Sequence, residues 1–325
     1  MNEHTSISIL RSILDPQSLS PLIEAAYGLN RVRLQLIKAG ILDTYRVLAD
    51  DGRFILRIYP SQKRPLAEIE AELDFLQFLG SQNVTVSIPI VSIAGKRILT
   101  LLAPEGQRCA VLFTYAEGRP MENDPGEAHL YGKILAQIHM VADTFPQTLA
   151  RTPLDLKFLL DWPLTQLKTF EHRQKDWAYL DRAAEVIRNF IKNLPRTRPQ
   201  FGYCHGDVCM GNAHITPEGK VTFFDFDFCG LGWRVYDVAT FVSGESAPIT
   251  TAFLAGYQSV RLLTEAEMQA IPLFQVAQSI WMLGTRAQYI NEWGNIRFAD
   301  EFVDRVLDQI RLLANKHDLL GNDYP

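Results

Sequence analysis

The chain has 325 residues, of which 47% are hydrophobic, and its formal net charge is −5. This length suits one large domain or two lobes, and the mixing of acidic and basic residues excludes a nucleic-acid-binding surface, which needs clustered Lys and Arg. The four cysteines lack metal-type spacing, and the sequence shows neither a signal peptide nor an apolar stretch of about 20 residues. We therefore expect a cytoplasmic protein with reduced thiols and no membrane partner.

The N-terminal third predicts an antiparallel sheet that carries one helix after a short initial helix over 17–28. In the stretch 31–59, Asp51-Gly52 separates two β-rich runs, and such a pair favours a hairpin because the turn needs positive φ. Apolar residues recur at helical spacing over 65–80. Further β-rich runs follow at 86–92, 96–102 and 108–116.

After Pro120 the pattern becomes helical, with apolar residues three and four positions apart. These helices are predicted at 127–143, 155–170, 176–193, 234–243, 264–289 and 298–315. One β-rich segment, roughly 203–228, interrupts them. We therefore predict an N-terminal nucleotide-binding lobe over 1–117 and a helical catalytic and substrate-binding lobe over 118–325.

The interrupting segment reads YCHGDVCMGN, a short hairpin pattern, and then FFDFDF. Asp207 and Asn212 are five residues apart across a loop that contains Gly211, which is the spacing found in a kinase catalytic loop. The hairpin that follows would return Asp225 to the side of Asn212.

Phosphoryl transfer needs an aligned nucleophile and neutralised phosphate charge, and this residue set supplies both. Asp207 is the candidate acceptor of the hydroxyl proton. Asn212 and Asp225 offer the hard oxygen ligands that Mg²⁺ prefers. Asp and Asn are also common turn formers, so an isolated pair at this spacing would indicate nothing; the ordered series indicates catalysis.

HGDVCMGN followed by FFDFDF resembles the aminoglycoside phosphotransferase and choline kinase superfamily, and nearly the whole chain shares the resemblance. The resemblance implies an α+β, protein-kinase-like two-lobed fold. It also implies an ATP- and Mg²⁺-dependent enzyme that phosphorylates a hydroxyl group of a small molecule, as a monomer or homodimer. RFILRIYP resembles the family's third strand, which places Arg57 on the nucleotide phosphates.

The same resemblance implies further nucleotide contacts. ELDFLQFL is similar to the helix that pairs with the phosphate-binding cation, which favours Glu72 as the partner of Arg57, with Glu70 as the alternative. VLFTYAEGRPM resembles the hinge that meets adenine, near Phe113–Tyr115. Gly40 lies where a turn would cover the phosphates, although an ordinary hairpin explains it equally well.

Other matches concern the catalytic loop. RVYDVATF and GKILAQIHM resemble family segments in which Asp237 braces the loop and His139 is structural. His205 is expected to pack and hydrogen-bond within the loop. Asp227 is either a second metal ligand or only a loop acid.

The late stretch WMLGTRAQYINEWG resembles the acceptor-lining helix of the family, so Arg286 and Tyr289 are candidates for substrate contact, while Trp281 fits a core stripe. Cys209, Met210 and His214 depart from the usual pattern without removing a chemical group that the mechanism needs. The late WMLGTRAQYINEWG helix and the compact N-terminal lobe resemble the homoserine-kinase-type-II and stress-response Ser/Thr kinase branch more than the antibiotic-resistance enzymes.

Three alternatives remain at this level. The first is a catalytically silent nucleotide-binding scaffold, and the second is a Ser/Thr protein kinase of the same superfamily. The third is a metal hydrolase that uses His205, Asp207, His214 and Asp225 as ligands.

Overall fold

The computed structural model describes residues 8–61, 63–146, 148–294 and 298–319. The chain divides into two compact units, Met1–Glu117 and Gly118–Pro325. The functional roles assigned above to the two segments stay predictions.

The first unit is built on a five-stranded antiparallel sheet in the order β1-β2-β3-β5-β4. Its strands are β1 (Arg33–Ala39), β2 (Asp43–Ala49), β3 (Gly52–Ile58), β4 (Leu99–Ala103) and β5 (Gly106–Thr114), and its helices are α1 (Pro16–Tyr27) and α2 (Leu66–Ser81). Ala49 pairs with Gly52, whose φ is +132°, so the predicted hairpin turn is confirmed.

The β-rich run at 86–92 does not form a strand. Its pairing is limited to isolated bridges at Val86 and Pro89, the latter with Phe113, and the N–H of Ile90 donates to the carbonyl of Leu112 at 2.8 Å. Pro89 has no N–H to donate to a ladder, which explains why an apolar, β-branched run stays irregular here.

The second unit is mainly helical and holds two small sheets, β6-β8-β9 and β10-β7. The strands are β6 (Arg119–Pro120), β7 (Phe201–Cys204), β8 (Ala213–Ile215), β9 (Val221–Phe223) and β10 (Gly230–Trp233). The helices are α3 (Pro125–Ala142), α4 (Trp162–Leu167), α5 (Gln174–Ile191), α6 (Arg234–Val242), α7 (Ala247–Gln258), α8 (Glu265–Gln288), α9 (Ile290–Trp293) and α10 (Asp300–Lys316). A π-helical turn at Lys157–Asp161 precedes α4.

Helix α7 is absent from the helices predicted above. Its signal is present in the chain, because Ile249, Phe253 and Tyr257 recur every four residues and are its largest buried side chains. A proline near its start also suits a first helical turn.

Helices α3 and α7 cross with their backbones in contact. A Cβ on Gly132 would lie 2.2 Å from the carbonyl oxygen of Phe253, and one on Gly256 would lie 1.9 Å from that of His129. Only glycine fits at both positions. This close crossing fixes where the later residues of both helices meet. Within the described residues, none of the helices has both the length and the apolar character needed to cross a membrane.

Candidate active site

The loop that carries Asp207 leaves β7 after Cys204 and turns sharply at Gly206. Gly206 has φ of +87°, and a Cβ there would lie 2.2 Å from the carbonyl oxygen of Phe228. Both the left-handed backbone and the close approach therefore require glycine. This turn directs Asp207 out of the strand.

Asp237, near the start of α6, holds the backbone that precedes Asp207. Its two carboxylate oxygens accept the backbone N–H groups of His205 at 2.7 Å and Gly206 at 2.9 Å. Asp237 is fully buried, and burial alone would raise its pKa, but hydrogen bonds led by that from His139 hold the pKa below its ordinary value. The carboxylate therefore stays charged and fixes two successive peptide groups.

His205 connects the same loop to the far end of β9. Its Nδ1 lies 3.3 Å from the backbone N–H of Asp207, and its Nε2 lies 3.0 Å from the carbonyl of Phe224. An amide N–H only donates and a carbonyl only accepts, so Nδ1 accepts and Nε2 carries the proton. The structural role predicted for His205 is confirmed.

Asn212 lies directly against Asp207. Its Nδ2 donates to the backbone carbonyl of Asp207 at 2.8 Å and to the carboxylate Oδ2 at 3.2 Å. Because the amide nitrogen is committed to Asp207, the amide oxygen is the atom of Asn212 that is left for a metal ion.

Asp225 joins this pair through the β8–β9 hairpin. The carbonyl of Asn212 accepts the N–H of Phe224 at 3.0 Å, which places the next residue beside the loop. Asp225 has φ of +67°, a left-handed conformation that Asp tolerates better than most residues. Desolvation of the thiol, followed by the charges of Asp207 and Asp225, raises the pKa of Cys209 to about 11 although the residue as a whole is exposed, so both carboxylates act on one thiol.

The structure thus brings Asp207, Asn212 and Asp225 together. One amide oxygen and one or two carboxylates match the hard donor set of Mg²⁺, which leaves several positions for water and phosphate oxygens. Asp227 is 3% exposed, and its backbone carbonyl accepts a hydrogen bond from Arg151. Its metal-binding role stays a prediction.

In the first unit, Arg57 on β3 meets Glu72 on α2. Arg57 Nη1 lies 3.4 Å from Glu72 Oε1, and Tyr59 donates its hydroxyl to Glu72 Oε2 at 3.3 Å. Glu72 is fully buried, whereas Glu70 is exposed. The geometry therefore favours Glu72 over the alternative, while the contact of Arg57 with phosphates stays a prediction.

The remaining candidates of this unit are placed as follows. Phe113 on β5 is 3% exposed, and the guanidinium carbon of Arg57 lies 5.7 Å from its ring centroid. Tyr115 follows the strand, with the guanidinium of Arg53 4.5 Å from its ring. Gly40 donates its N–H to the carbonyl of Leu42 at 3.2 Å in the β1–β2 turn. It has no positive φ, so the turn does not by itself require glycine.

The candidates at the end of α8 have different neighbours. The guanidinium carbon of Arg286 lies 3.8 Å from the centroid of the Phe302 ring on α10, and Tyr289 is the C-cap residue of α8. Trp281 is 8% exposed and packs edge-on against Phe228 at 4.8 Å, as a core residue would. The substrate contacts of Arg286 and Tyr289 stay predictions.

Two residues that were not predicted from the sequence also support the loop. Tyr257 hydrogen-bonds His139 at 2.8 Å, and Arg151 Nε donates to the carbonyl of Cys229 at 2.9 Å. The periodicity of α7 signals that Tyr257 is buried, but not what its hydroxyl contacts. Nothing in the local sequence marks Arg151.

Residues 33–271 match the family described as the phosphotransferase enzyme family. The chain belongs to the phosphotransferase enzyme family. The resemblance predicted from the HGD and DFD motifs is thereby confirmed, and the protein is a phosphotransferase.

Proteins similar in sequence align with most of the chain. A protein from Deinococcus radiodurans is 36% identical over 322 residues, which are 96% of this chain and 94% of that protein. A homoserine kinase from Mesorhizobium japonicum is 29% identical over 249 residues, covering 72% of this chain and 73% of its own length.

A solved structure of the amicoumacin kinase hAmiN, in complex with AMP-PNP, Ca²⁺ and Ami, has a TM-score of 0.76. It shares 18% identity and covers 91% of this chain and 93% of its own. The likeness shows the fold, so the predicted kinase-like fold is confirmed.

Proposed function

We propose that this phosphotransferase moves the γ-phosphoryl group of ATP to a hydroxyl group of a small molecule, with Mg²⁺ as the metal ion. One observation carries the proposal: Asn212 holds the Asp207 carboxylate through its amide nitrogen while the hairpin returns Asp225 to the same place. This arrangement combines a proton acceptor with hard metal ligands in one loop, which is what in-line phosphoryl transfer needs.

In the proposed reaction the acceptor hydroxyl gives its proton to the Asp207 carboxylate. The hydroxyl oxygen forms a bond to the γ-phosphorus, and the bond from that phosphorus to the β,γ-bridging oxygen breaks, so ADP leaves. Asn212 and Asp225 would hold Mg²⁺, which supplies positive charge at the phosphates when bound. Arg57, kept in place by Glu72, would contact the phosphates with a charge that is present at every relevant pH.

Hydroxy amino acids and amino alcohols are the acceptor class that we propose. The homoserine kinase similarity supports this choice, because homoserine carries both a primary hydroxyl and an ammonium group. A protein substrate is less well supported, since no A-P-E segment follows the FFDFDF motif as it does in protein kinases, and Ala103-Pro104-Glu105 lies about 100 residues before the candidate loop.

The metal-hydrolase alternative is disfavoured by the contacts of His205. Both of its ring nitrogens are engaged within the protein, one with the N–H of Asp207 and the other with the carbonyl of Phe224. A histidine in this state offers no lone pair to a transition metal.

The test is ADP release from Mg-ATP by the full chain, measured with homoserine, 1-amino-2-propanol, choline and an aminoglycoside as acceptors. Asp207→Asn should lower the rate by roughly 10² to 10⁴-fold, the usual contribution of a general base, and leave ATP affinity nearly unchanged. Asp181→Asn is the matched control, since Asp181 on α5 forms a surface ion pair with Lys168. Unchanged turnover in Asp207→Asn would reject the catalytic assignment.

The silent-scaffold alternative makes the opposite prediction. It expects ATP binding by calorimetry with no ADP release above background for any acceptor, including water. Binding together with a rate that depends on Asp207 would exclude it.

A further inference from the structure

A buried chain of polar side chains runs from the catalytic loop to the junction between α7 and α8. His139 Nε2 lies 2.9 Å from Asp237 Oδ2, and His139 Nδ1 lies 2.8 Å from the hydroxyl of Tyr257. Arg261 Nη1 lies 3.2 Å from the same hydroxyl, and its Nη2 lies 2.5 Å from Glu267. All five side chains are at most 6% exposed.

The direction of every hydrogen bond in this chain follows from its two ends together with the neutral state of the His139 ring. Arg261 can only donate, so the Tyr257 oxygen accepts from it. The Asp237 carboxylate can only accept, so His139 Nε2 carries a proton. Burial, the largest influence, lowers the pKa of His139 to about 4, so its ring is neutral and Nδ1 is a bare acceptor. The hydroxyl proton of Tyr257 must therefore point at Nδ1.

We propose that Tyr257 is a positioning residue for the catalytic loop: its hydroxyl selects the His139 tautomer whose Nε2–H holds Asp237. Asp237 in turn holds the backbone N–H groups of His205 and Gly206, immediately before Asp207. The inference rests on the catalytic role proposed for Asp207, and it adds a residue that is 118 positions away from His139 in the chain.

The fold places this hydroxyl with little freedom. Tyr257 directly follows Gly256, one of the two glycines at which α3 and α7 touch, and His139 lies near the end of α3. Arg261 is fixed by a second acceptor, the carbonyl of Pro199 at 3.1 Å. Glu267 is fixed by the capping box of α8, in which Thr264 and Glu267 exchange hydrogen bonds.

Without the Tyr257 hydroxyl, His139 would no longer be restricted to one tautomer. With Tyr257→Phe, Nδ1 is either left as a buried, unsatisfied acceptor or takes the proton itself. In the second case the lone pair of Nε2 faces the Asp237 carboxylate, which is repulsive. Asp237 would then shift, and with it the peptide groups that aim Asp207. Small misplacements of a reacting group lower the rate strongly.

The first experiment needs no variant. Long-range ¹H–¹⁵N spectra of the full chain, labelled at its seven histidines, should show His139 with protonated Nε2 and unprotonated Nδ1 at neutral pH. His139→Gln provides the assignment. Protonated Nδ1 in the wild-type protein would overturn the proposal.

The second experiment compares two hydroxyl deletions. Tyr257→Phe is matched by Tyr203→Phe, which also removes a buried hydroxyl from this unit, one that accepts the N–H of Leu149 at 2.9 Å. The probe is ADP release from Mg-ATP with water as the acceptor. We expect kcat to fall by about tenfold or more in Tyr257→Phe, with KM for ATP unchanged and a Tm loss similar to that of the control.

The outcomes separate this inference from the proposed function. If Tyr257→Phe and Tyr203→Phe have the same kcat while Asp207→Asn is inactive, only the positioning role of Tyr257 is wrong. If the wild-type protein releases no ADP with water or with any of the four acceptors named above, the proposed function fails, and the tautomer spectra of wild type and Tyr257→Phe still decide whether the hydroxyl sets His139. Identical His139 signals in those two proteins would overturn the proposal.

Discussion

The amide nitrogen of Asn212 donates two hydrogen bonds to Asp207, one to the backbone carbonyl at 2.8 Å and one to the carboxylate at 3.2 Å. One side chain thereby orients the proposed base and turns its own oxygen away from it. The proposed proton acceptor and the proposed metal ligand are consequently parts of one rigid loop. A change at Asn212 should therefore affect both the orientation of Asp207 and the proposed metal site.

The metal site can be tested at Asp225 without changing the backbone. Asn accepts a left-handed φ about as well as Asp, so Asp225→Asn removes the charge and keeps the +67° conformation. We expect the Mg²⁺ concentration for half-maximal ADP release to rise by about tenfold or more, since a hard cation loses a carboxylate ligand. Asp318→Asn, at another Asp with positive φ, is the control. An unchanged Mg²⁺ dependence would remove Asp225 from the metal site.

The ion pair of the first unit predicts a phosphate-specific defect. Arg57→Gln should weaken binding of ATP and ADP by about tenfold, because the neutral side chain loses a charge-assisted contact. Adenosine binding should change little, since it has no phosphates. Arg33→Gln, on the exposed side of β1, controls for the loss of one positive charge. Calorimetry with the three ligands provides the measurement, and equal losses for all three would point to a structural role.

A comparison of alanine substitutions at two glycines distinguishes the stability cost of a left-handed backbone from that of a steric clash. Gly206 and Gly219 have similar φ values of +87° and +82°, but a Cβ on Gly219 meets nothing within 4 Å. We expect Gly219→Ala to cost about 1 kcal/mol of unfolding free energy, the usual cost of a left-handed alanine. Gly206→Ala should cost about 3 kcal/mol or more, because the new methyl group would overlap the carbonyl of Phe228. Urea unfolding of both variants tests this, and equal costs would contradict it.

His139 predicts an acid-sensitive contribution to stability. Its pKa is lowered from 6.5 to about 4, so between these values the unfolded chain binds a proton that the folded chain does not. The free energy of unfolding should therefore fall as pH drops from 6.5 to 4, by about 3 kcal/mol from this residue.

His139→Gln keeps an N–H donor but does not titrate, so its stability should fall less than that of the wild type over the same interval. His172→Gln, at an exposed histidine, is the control. Chemical unfolding of the three proteins at several pH values measures the difference. Parallel curves for wild type and His139→Gln would show that the histidine is not buried in its neutral form.

Local sequence was sufficient to predict the geometry of the candidate catalytic loop. Asp207, Asn212 and Asp225 lie within 19 consecutive residues of the chain, and a glycine turn and a short hairpin join them. Backbone geometry over such distances depends mainly on nearby residues, so spacing alone placed the carboxylates and the amide side by side. The same holds for the β2–β3 hairpin at Gly52, while Pro89 prevented a strand that hydrophobicity alone favoured.

The sequence by itself therefore determined the family, the kinase-like fold and the chemical groups of the loop. Tertiary structure decided which of Glu70 and Glu72 is buried against Arg57. Both are acidic residues of one helix, and only the packing of that helix shows which of them faces the sheet. Tertiary structure also decided that Tyr257 meets His139, two residues that come together only where α3 and α7 cross at Gly132 and Gly256. Contacts between such distant residues depend on packing, and no local pattern encodes which polar atoms will face each other once water is excluded.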